Sequence, residues 1–170
     1  VACVSGCHGK TTITSMLALI MQTADIDCTV HVGGMVDFLG GGVKLGRSDI
    51  FITEACEYVK SFLTLAPRYI LVNNIDDDHL DFYKDIEDIY QTFAQFVRKL
   101  GEGSALFLNA NDPLAMRLAG EVACRVTTYG TPDADWSLAD ISFNEMGSGS
   151  ATITAHGRPM GKISLNVPGL

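Results

Sequence analysis

The sequence predicts an α/β fold: a mostly parallel sheet flanked by helices, with a small antiparallel β meander at its C-terminal end. Three observations carry that expectation. Residues 1–12 run from an apolar strand through a glycine-rich turn and Lys-Thr-Thr into a helix. Short apolar runs then alternate with segments of helical periodicity to about residue 131, the order that builds a parallel sheet covered on both faces. From about 132 to 170, β-rich runs are separated by Gly147-Ser148-Gly149 and Gly157-Arg158-Pro159, as in an antiparallel meander. At 170 residues the chain reads as one domain with room for a real core.

The elements follow in order. Residues 2–4 are a buried strand. Over 10–24, Ile13, Met16, Leu17, Ile20 and Met21 recur at helical spacing and mark one face for packing on a sheet. Residues 28–32 are β-rich, and the glycine-rich stretch 35–46 reads as an exposed loop. A strand over 49–54 ends on Glu54, a short helix over 60–65 stops before Pro67, and 69–72 is another buried strand. Residues 73–81 are the most acidic stretch. Ile86, Ile89, Tyr90, Phe93, Phe96, Val97 and Leu100 mark a strong helix over about 85–99. A strand at 105–108, a helix to about 119 with Pro113 in its first turn, and a strand at 125–129 complete the alternation. The runs 138–144, 151–156 and 161–167 form either a small attached sheet or an extension of the main one.

Composition narrows the function. The formal charge of -8 and the absence of a basic run argue against a nucleic-acid surface. The longest apolar runs, such as 16–21, are too short to span a bilayer, so no membrane partner is expected. Cys3, Cys7, Cys28, Cys56 and Cys124 are odd in number and form no C-x-x-C pair, which argues for a reducing, cytoplasmic compartment. Residue 1 already lies inside a strand and residue 170 at the start of a connection, so the sequence reads as a fragment of a longer chain.

The chemistry gathers at three predicted strand ends, where open parallel sheets bind ligands. Ser5-Gly6-Cys7-His8-Gly9-Lys10-Thr11-Thr12 has the parts of a P-loop. Backbone N–H groups and a helix N-terminus supply partial positive charge, Lys10 adds a full one, and Thr11 offers a hydroxyl to Mg²⁺. The strict motif would place glycine where Val4 stands. Glu54 occupies the position of an acid on the magnesium side. His79, flanked by Asp78 and Asp81 and following Asn73-Asn74, is a candidate ligand oriented by a carboxylate. The run Asp76-Asp77-Asp78 also fits a solvated loop and helix cap, and Glu57 has no assigned role. Cys7, at a helix N-terminus beside Lys10, is expected to be the most reactive of the five thiols, the others being buried, the alternative being a small residue of ordinary reactivity.

Four motifs in this order resemble the central ATP-binding domain of the Mur ligases: Ser-Gly-Cys-His-Gly-Lys-Thr-Thr, Thr-Glu-Ala-Cys-Glu-Tyr, Asn-Asn-Ile-Asp-Asp-Asp-His-Leu-Asp and Leu-Asn-Ala-Asn-Asp-Pro. The resemblance spans nearly the whole chain, and the pattern is nearest the alanine-adding branch. It implies an ATP-dependent carboxylate–amine ligase of peptidoglycan precursor synthesis, with ATP and Mg²⁺ as cofactors and UDP-N-acetylmuramate and L-alanine as substrates. The family also implies an N-terminal and a C-terminal domain as partners of this one. Gly6, Cys7, His8, Gly9, Lys10, Thr11 and Thr12 would bind ATP, with Lys10 on the β- and γ-phosphates. Thr11 and Glu54 would hold one Mg²⁺, and His79 would join Glu54 around a second, so that Lys10, Glu54 and His79 carry catalysis. Cys7 replaces the family's usual threonine. Phe93 and Ala94 stand where relatives that add later residues carry a modified lysine. Pro168-Gly169-Leu170 resembles the start of the family's adenine-binding Pro-Gly-x-His-Asn segment. Other ligases of the same type, including peptide-recycling and folylpolyglutamate-like ones, remain alternatives, as does a P-loop module without turnover. A GTPase-like D-x-x-G at Asp37–Gly40 is treated as accidental, because no N-K-x-D motif accompanies it.

Overall fold

The computed structural model describes residues 1–168 of the chain. Ten strands form one sheet: β1 (Ala2–Ser5), β2 (Thr29–Val36), β3 (Gly41–Lys44), β4 (Phe51–Glu54), β5 (Tyr69–Val72), β6 (Ala105–Asn109), β7 (Arg125–Gly130), β8 (Trp136–Phe143), β9 (Ser148–Ala155) and β10 (Arg158–Pro168). Their order is β10-β9-β8-β7-β6-β5-β1-β4-β2-β3. The central pairs β2–β4, β4–β1, β1–β5, β5–β6 and β6–β7 are parallel. β1 lies between β4 and β5, so chain connections leave it in both directions and open a crevice beyond its C-terminal end.

The helices are α1 (Lys10–Thr23), α2 (Ile86–Val97) and α3 (Pro113–Arg117). α2 begins where the Asp85 carboxylate accepts the Asp88 N–H at 3.0 Å, and α3 where Asp112 accepts that of Ala115 at 2.7 Å. Ile89, Phe93, Phe96 and Val97 of α2 pack with Ile70 and Val72 of β5 and Leu106 and Leu108 of β6 in the larger core. Phe62, from the 3₁₀ turn Tyr58–Thr64, stacks on Phe96 at 4.3 Å and meets Phe93 edge-on at 5.3 Å. A smaller core on the opposite face joins Ala18, Leu17 and Met21 of α1 to Val30, Val32 and Ile52. The buried stripe of α1 therefore runs Thr14, Leu17, Ala18, Met21, and the expected core residue Ile20 is 63% exposed.

Two stretches differ from the sequence expectation. Residues 35–46 are not a loop: β2 continues to Val36, a 3₁₀ turn Asp37–Leu39 reverses the chain, and β3 pairs back antiparallel at the sheet edge. Glycine composition hides this hairpin because backbone pairing needs no side chains. At Gly42 a Cβ would stand 3.0 Å from the carbonyl oxygens of Val32 and Gly34. The Asp37–Gly40 stretch is thus a hairpin turn. The meander β8–β10, for its part, extends the main sheet. It attaches through a short parallel seam, Tyr129 to Trp136 and Gly130 to Ser137, whereas β8–β9 and β9–β10 pair antiparallel along most of their length.

The side of the sheet carrying α1 is bare beyond β1. Register places Leu71, Phe107, Tyr129, Trp136, Leu138, Ile153 and Ile163 on that side, where Leu71 and Phe107 line one open groove and the other five line a second. The opposite face of the meander is lined with hydroxyls, among them Ser137 with Thr154 at 2.6 Å and Ser150 with Ser164 at 2.9 Å. The Pro-Gly ending discussed above runs past the described residues at Gly169 and Leu170.

Candidate functional site

The site forms where β1, β4 and β5 end side by side: Val4 is in register with Glu54, and Ser5 with Val72. Behind β1 the chain turns sharply at Gly6, whose φ of 133° is open to glycine alone, and a Cβ there would lie 3.0 Å from the backbone nitrogen of Asn74. The loop following β5 braces the glycine loop. Asn74 Oδ1 accepts the His8 N–H at 2.7 Å, and the Asn73 and Asn74 amides donate to the His8 carbonyl at 3.1 and 3.2 Å. Tyr129 in turn donates its hydroxyl to Asn73 Oδ1 at 2.9 Å. Desolvation in this position raises the Tyr129 phenol well above its ordinary range.

Lys10, in the first turn of α1, folds back into the loop. Its Nζ donates to the carbonyls of Gly6 at 2.7 Å and Cys7 at 3.1 Å, and to both carboxylate oxygens of Glu57 at 3.1 and 3.2 Å. Glu57 is 1% exposed, so the pair is an ion pair held out of water. The backbone carbonyl of Glu57 accepts the hydroxyl of buried Tyr83, whose pKa burial pushes up to about 12.

Thr11 and Glu54 come together as expected from the strand ends. Thr11 Oγ1 lies 3.2 and 3.0 Å from the Glu54 carboxylate oxygens, and Glu54 Oε2 also accepts the Gly33 N–H at 2.8 Å. Hydroxyl and carboxylate are hard oxygen donors of the kind Mg²⁺ takes. His79 gathers with other acids: its Nε2 is 3.7 Å from Glu57 Oε1 and 3.8 Å from Asp78 Oδ2, and its ring lies 4.7 Å from that of Tyr58. Glu57, Asp78 and His79 are close enough to share a cation, and among the described residues Glu54 is not in that cluster. Gly9 precedes the helix with φ 84°, the His8 side chain is 64% exposed and 3.7 Å from Asp76 Oδ2, and Thr12 is exposed on the first turn.

Cys7 corrects the sequence expectation. Its thiol is buried, donates to the Asp76 carbonyl at 3.3 Å and accepts the Asp76 N–H at 3.2 Å. Burial pushes its pKa up to about 12, outweighing the Asp76 backbone hydrogen bond and the charge of Lys10, so it is a poor nucleophile. The half-buried thiols are Cys56 and Cys124.

Sequence reasoning missed Asn73, Asn74 and Tyr129 as braces and left Glu57 without a role. Glu57 carried one signal: a second carboxylate three residues after Glu54 in an otherwise apolar run.

The chain matches known proteins in sequence and in fold. A family model described as the Mur ligase middle domain matches residues 4–170. The UDP-N-acetylmuramate–L-alanine ligase of Clostridium acetobutylicum is 46% identical over 166 residues, covering 98% of this chain and 36% of that protein. The chain thus spans about a third of the length of the curated relatives it matches. Among solved structures, the UDP-N-acetylmuramate-alanine ligase of Thermotoga maritima aligns with a TM-score of 0.83 at 25% identity, over 98% of this chain and 37% of that one. A MurF ligase from the same organism, solved in complex with ADP, shares the fold with a TM-score of 0.73 at 19% identity, over 96% of this chain and 40% of that one. The chain belongs to the Mur ligase family, and the part of that family it matches is the middle domain.

Proposed function

We propose that this chain is the ATP-binding part of a ligase that joins L-alanine to UDP-N-acetylmuramate. The observation that carries the proposal is the placement of Lys10, folded back into the glycine loop, beside the Thr11–Glu54 pair at the adjoining ends of β1 and β4. The level of identity to alanine-adding ligases supports the choice of substrates.

The loop N–H groups and the N-terminus of α1 would receive the phosphates of ATP, and Gly6 lets the loop pack directly on the backbone of Asn73 and Asn74. Lys10 would follow the β- and γ-phosphates and offset charge as the γ-phosphoryl passes to the substrate carboxylate. The P–O bond to ADP breaks as a bond to the carboxylate oxygen forms, giving an acyl phosphate. The amino group of alanine then displaces phosphate and forms the amide. Thr11 and Glu54 fit Mg²⁺ as hard oxygen donors, with His79 the candidate for a second ion, and the metal when bound would neutralise the charge of two approaching anions. The chain's five free cysteines suit a cytoplasmic setting, where these precursors would be used. The neighbouring domains that complete the sugar and amino-acid sites would belong to the remaining length seen in the relatives.

Titration calorimetry of the full-length protein with ATP and GTP in Mg²⁺ tests this reading. ATP should bind in preference to GTP, and Lys10→Ala should abolish binding. A preference for GTP, or undiminished binding by Lys10→Ala, would overturn it.

A further inference from the structure

We propose that Glu57 is a positioning residue that holds Lys10 and His79 in place and, by competing for Lys10, keeps ground-state nucleotide from binding too tightly. The inference rests on the nucleotide-binding reading of the glycine loop.

An ammonium has three N–H donors. Lys10 Nζ already has four acceptors within 3.2 Å, two loop carbonyls and both oxygens of Glu57. An arriving phosphate oxygen must displace one of them. The carbonyls of Gly6 and Cys7 belong to the cradle itself, whereas Glu57 reaches in from beyond β4 with a full negative charge. At 1% exposure that charge is little screened by water.

Glu57 is also held firmly from behind. Its carbonyl accepts the Tyr83 hydroxyl and the Lys60 N–H. The next residues but one, Val59 and Lys60, have φ of 48° and 58°, a conformation that strains non-glycine residues and persists only where the surroundings enforce it. The same Oε1 that touches Lys10 lies 3.7 Å from His79 Nε2, and His79 itself has φ 54°. One buried carboxylate therefore aligns a lysine from α1 and a histidine from the loop after β5.

Removing this charge without changing shape should favour the bound ground state and disfavour turnover, because Lys10 then loses its anchor. In the full-length protein, Glu57→Gln should lower the Kd for ATP·Mg about tenfold, the order expected from one unscreened nearby charge. KM for ATP should fall with it, while kcat falls about tenfold or more, the split that marks relief of ground-state strain. Glu57→Asp, with its carboxylate drawn back from Lys10, should move both quantities the same way by about threefold, and it is the deciding variant if the Gln form does not fold.

A purely structural ion pair would lower the Tm and leave ATP affinity unchanged or weaker, which overturns the inference. Weaker ATP binding with a raised Mg²⁺ requirement would make Glu57 a metal ligand and also overturn it. Wild type that binds no ATP would overturn the nucleotide reading and this inference together. Wild type that binds, with variants that bind no tighter, would overturn this inference alone.

Discussion

Cys7 Sγ bridges the N–H and the carbonyl of Asp76, so the side chain fastens the glycine loop to the loop after β5. Burial governs its chemistry, and the thiol pKa near 12 predicts slow alkylation at neutral pH. After brief iodoacetamide treatment, peptide mapping should find Cys56 and Cys124 labelled well before Cys7. Label appearing first on Cys7 would mean that the loop opens far more often than this packing allows. The residues of the glycine loop were legible in the sequence because a motif fixes their spacing over a few positions. Glu57, Asn73 and Asn74 were not, because their roles arise only when strand ends 47 to 66 positions apart in sequence lie side by side, as Lys10 with Glu57 and His8 with Asn74 show. The reactivity of Cys7 was misjudged for a related reason. Sequence reveals its neighbours along the chain, whereas its burial comes from β5 and the larger core.

Among the elements, α2 shows how cap and packing divide the stability of a helix. Its start depends on one hydrogen bond from Asp88 N to Asp85, and Asp85→Ala should cost about 1 kcal/mol. Phe93 has no exposed surface and meets Phe62 edge-on, so Phe93→Ala should cost about 3–5 kcal/mol. Urea melts of the two variants check the ratio, and equal losses would mean that the aromatic cluster relaxes around the cavity. This helix was legible because its apolar positions keep helical period over three turns. The β2–β3 hairpin was not, because Gly41 and Gly42 carry no periodic signal although they open β3, which pairs back on β2. α1 was legible as a helix but misjudged by one stripe: apolar residues surround most of it, and only the sheet decides that Ala18 and Met21 face inward while Ile20 faces out.

At the scale of the whole molecule, the parallel core was readable from alternating strands and helices, but the continuity of the sheet into β8–β10 was not. That continuity depends on two residue pairs and on Asp135, which accepts the Thr128 N–H at 2.8 Å and the Thr128 hydroxyl at 3.1 Å. These hydrogen bonds, first that of the backbone N–H, hold the Asp135 carboxyl below the ordinary range. A depressed carboxyl stabilises the fold above its unfolded pKa and loses that contribution as pH falls from 3.8 toward the lower folded value. Asp135→Asn should therefore show a shallower loss of stability than wild type in acid melts below about pH 4, and parallel curves would remove Asp135 from the account. The narrow seam has a further consequence, in time rather than in energy. Within β8–β10 each strand is tied to its neighbour along most of its length, while the whole block is tied to β7 at one corner. Such a block opens as a unit, so in hydrogen–deuterium exchange the amides of β9 should turn over together and well ahead of those of β5 and β6. Asp135→Ala should quicken that block alone. Molecules caught in mid-exchange would then carry two mass populations over the meander peptides and one over the parallel core.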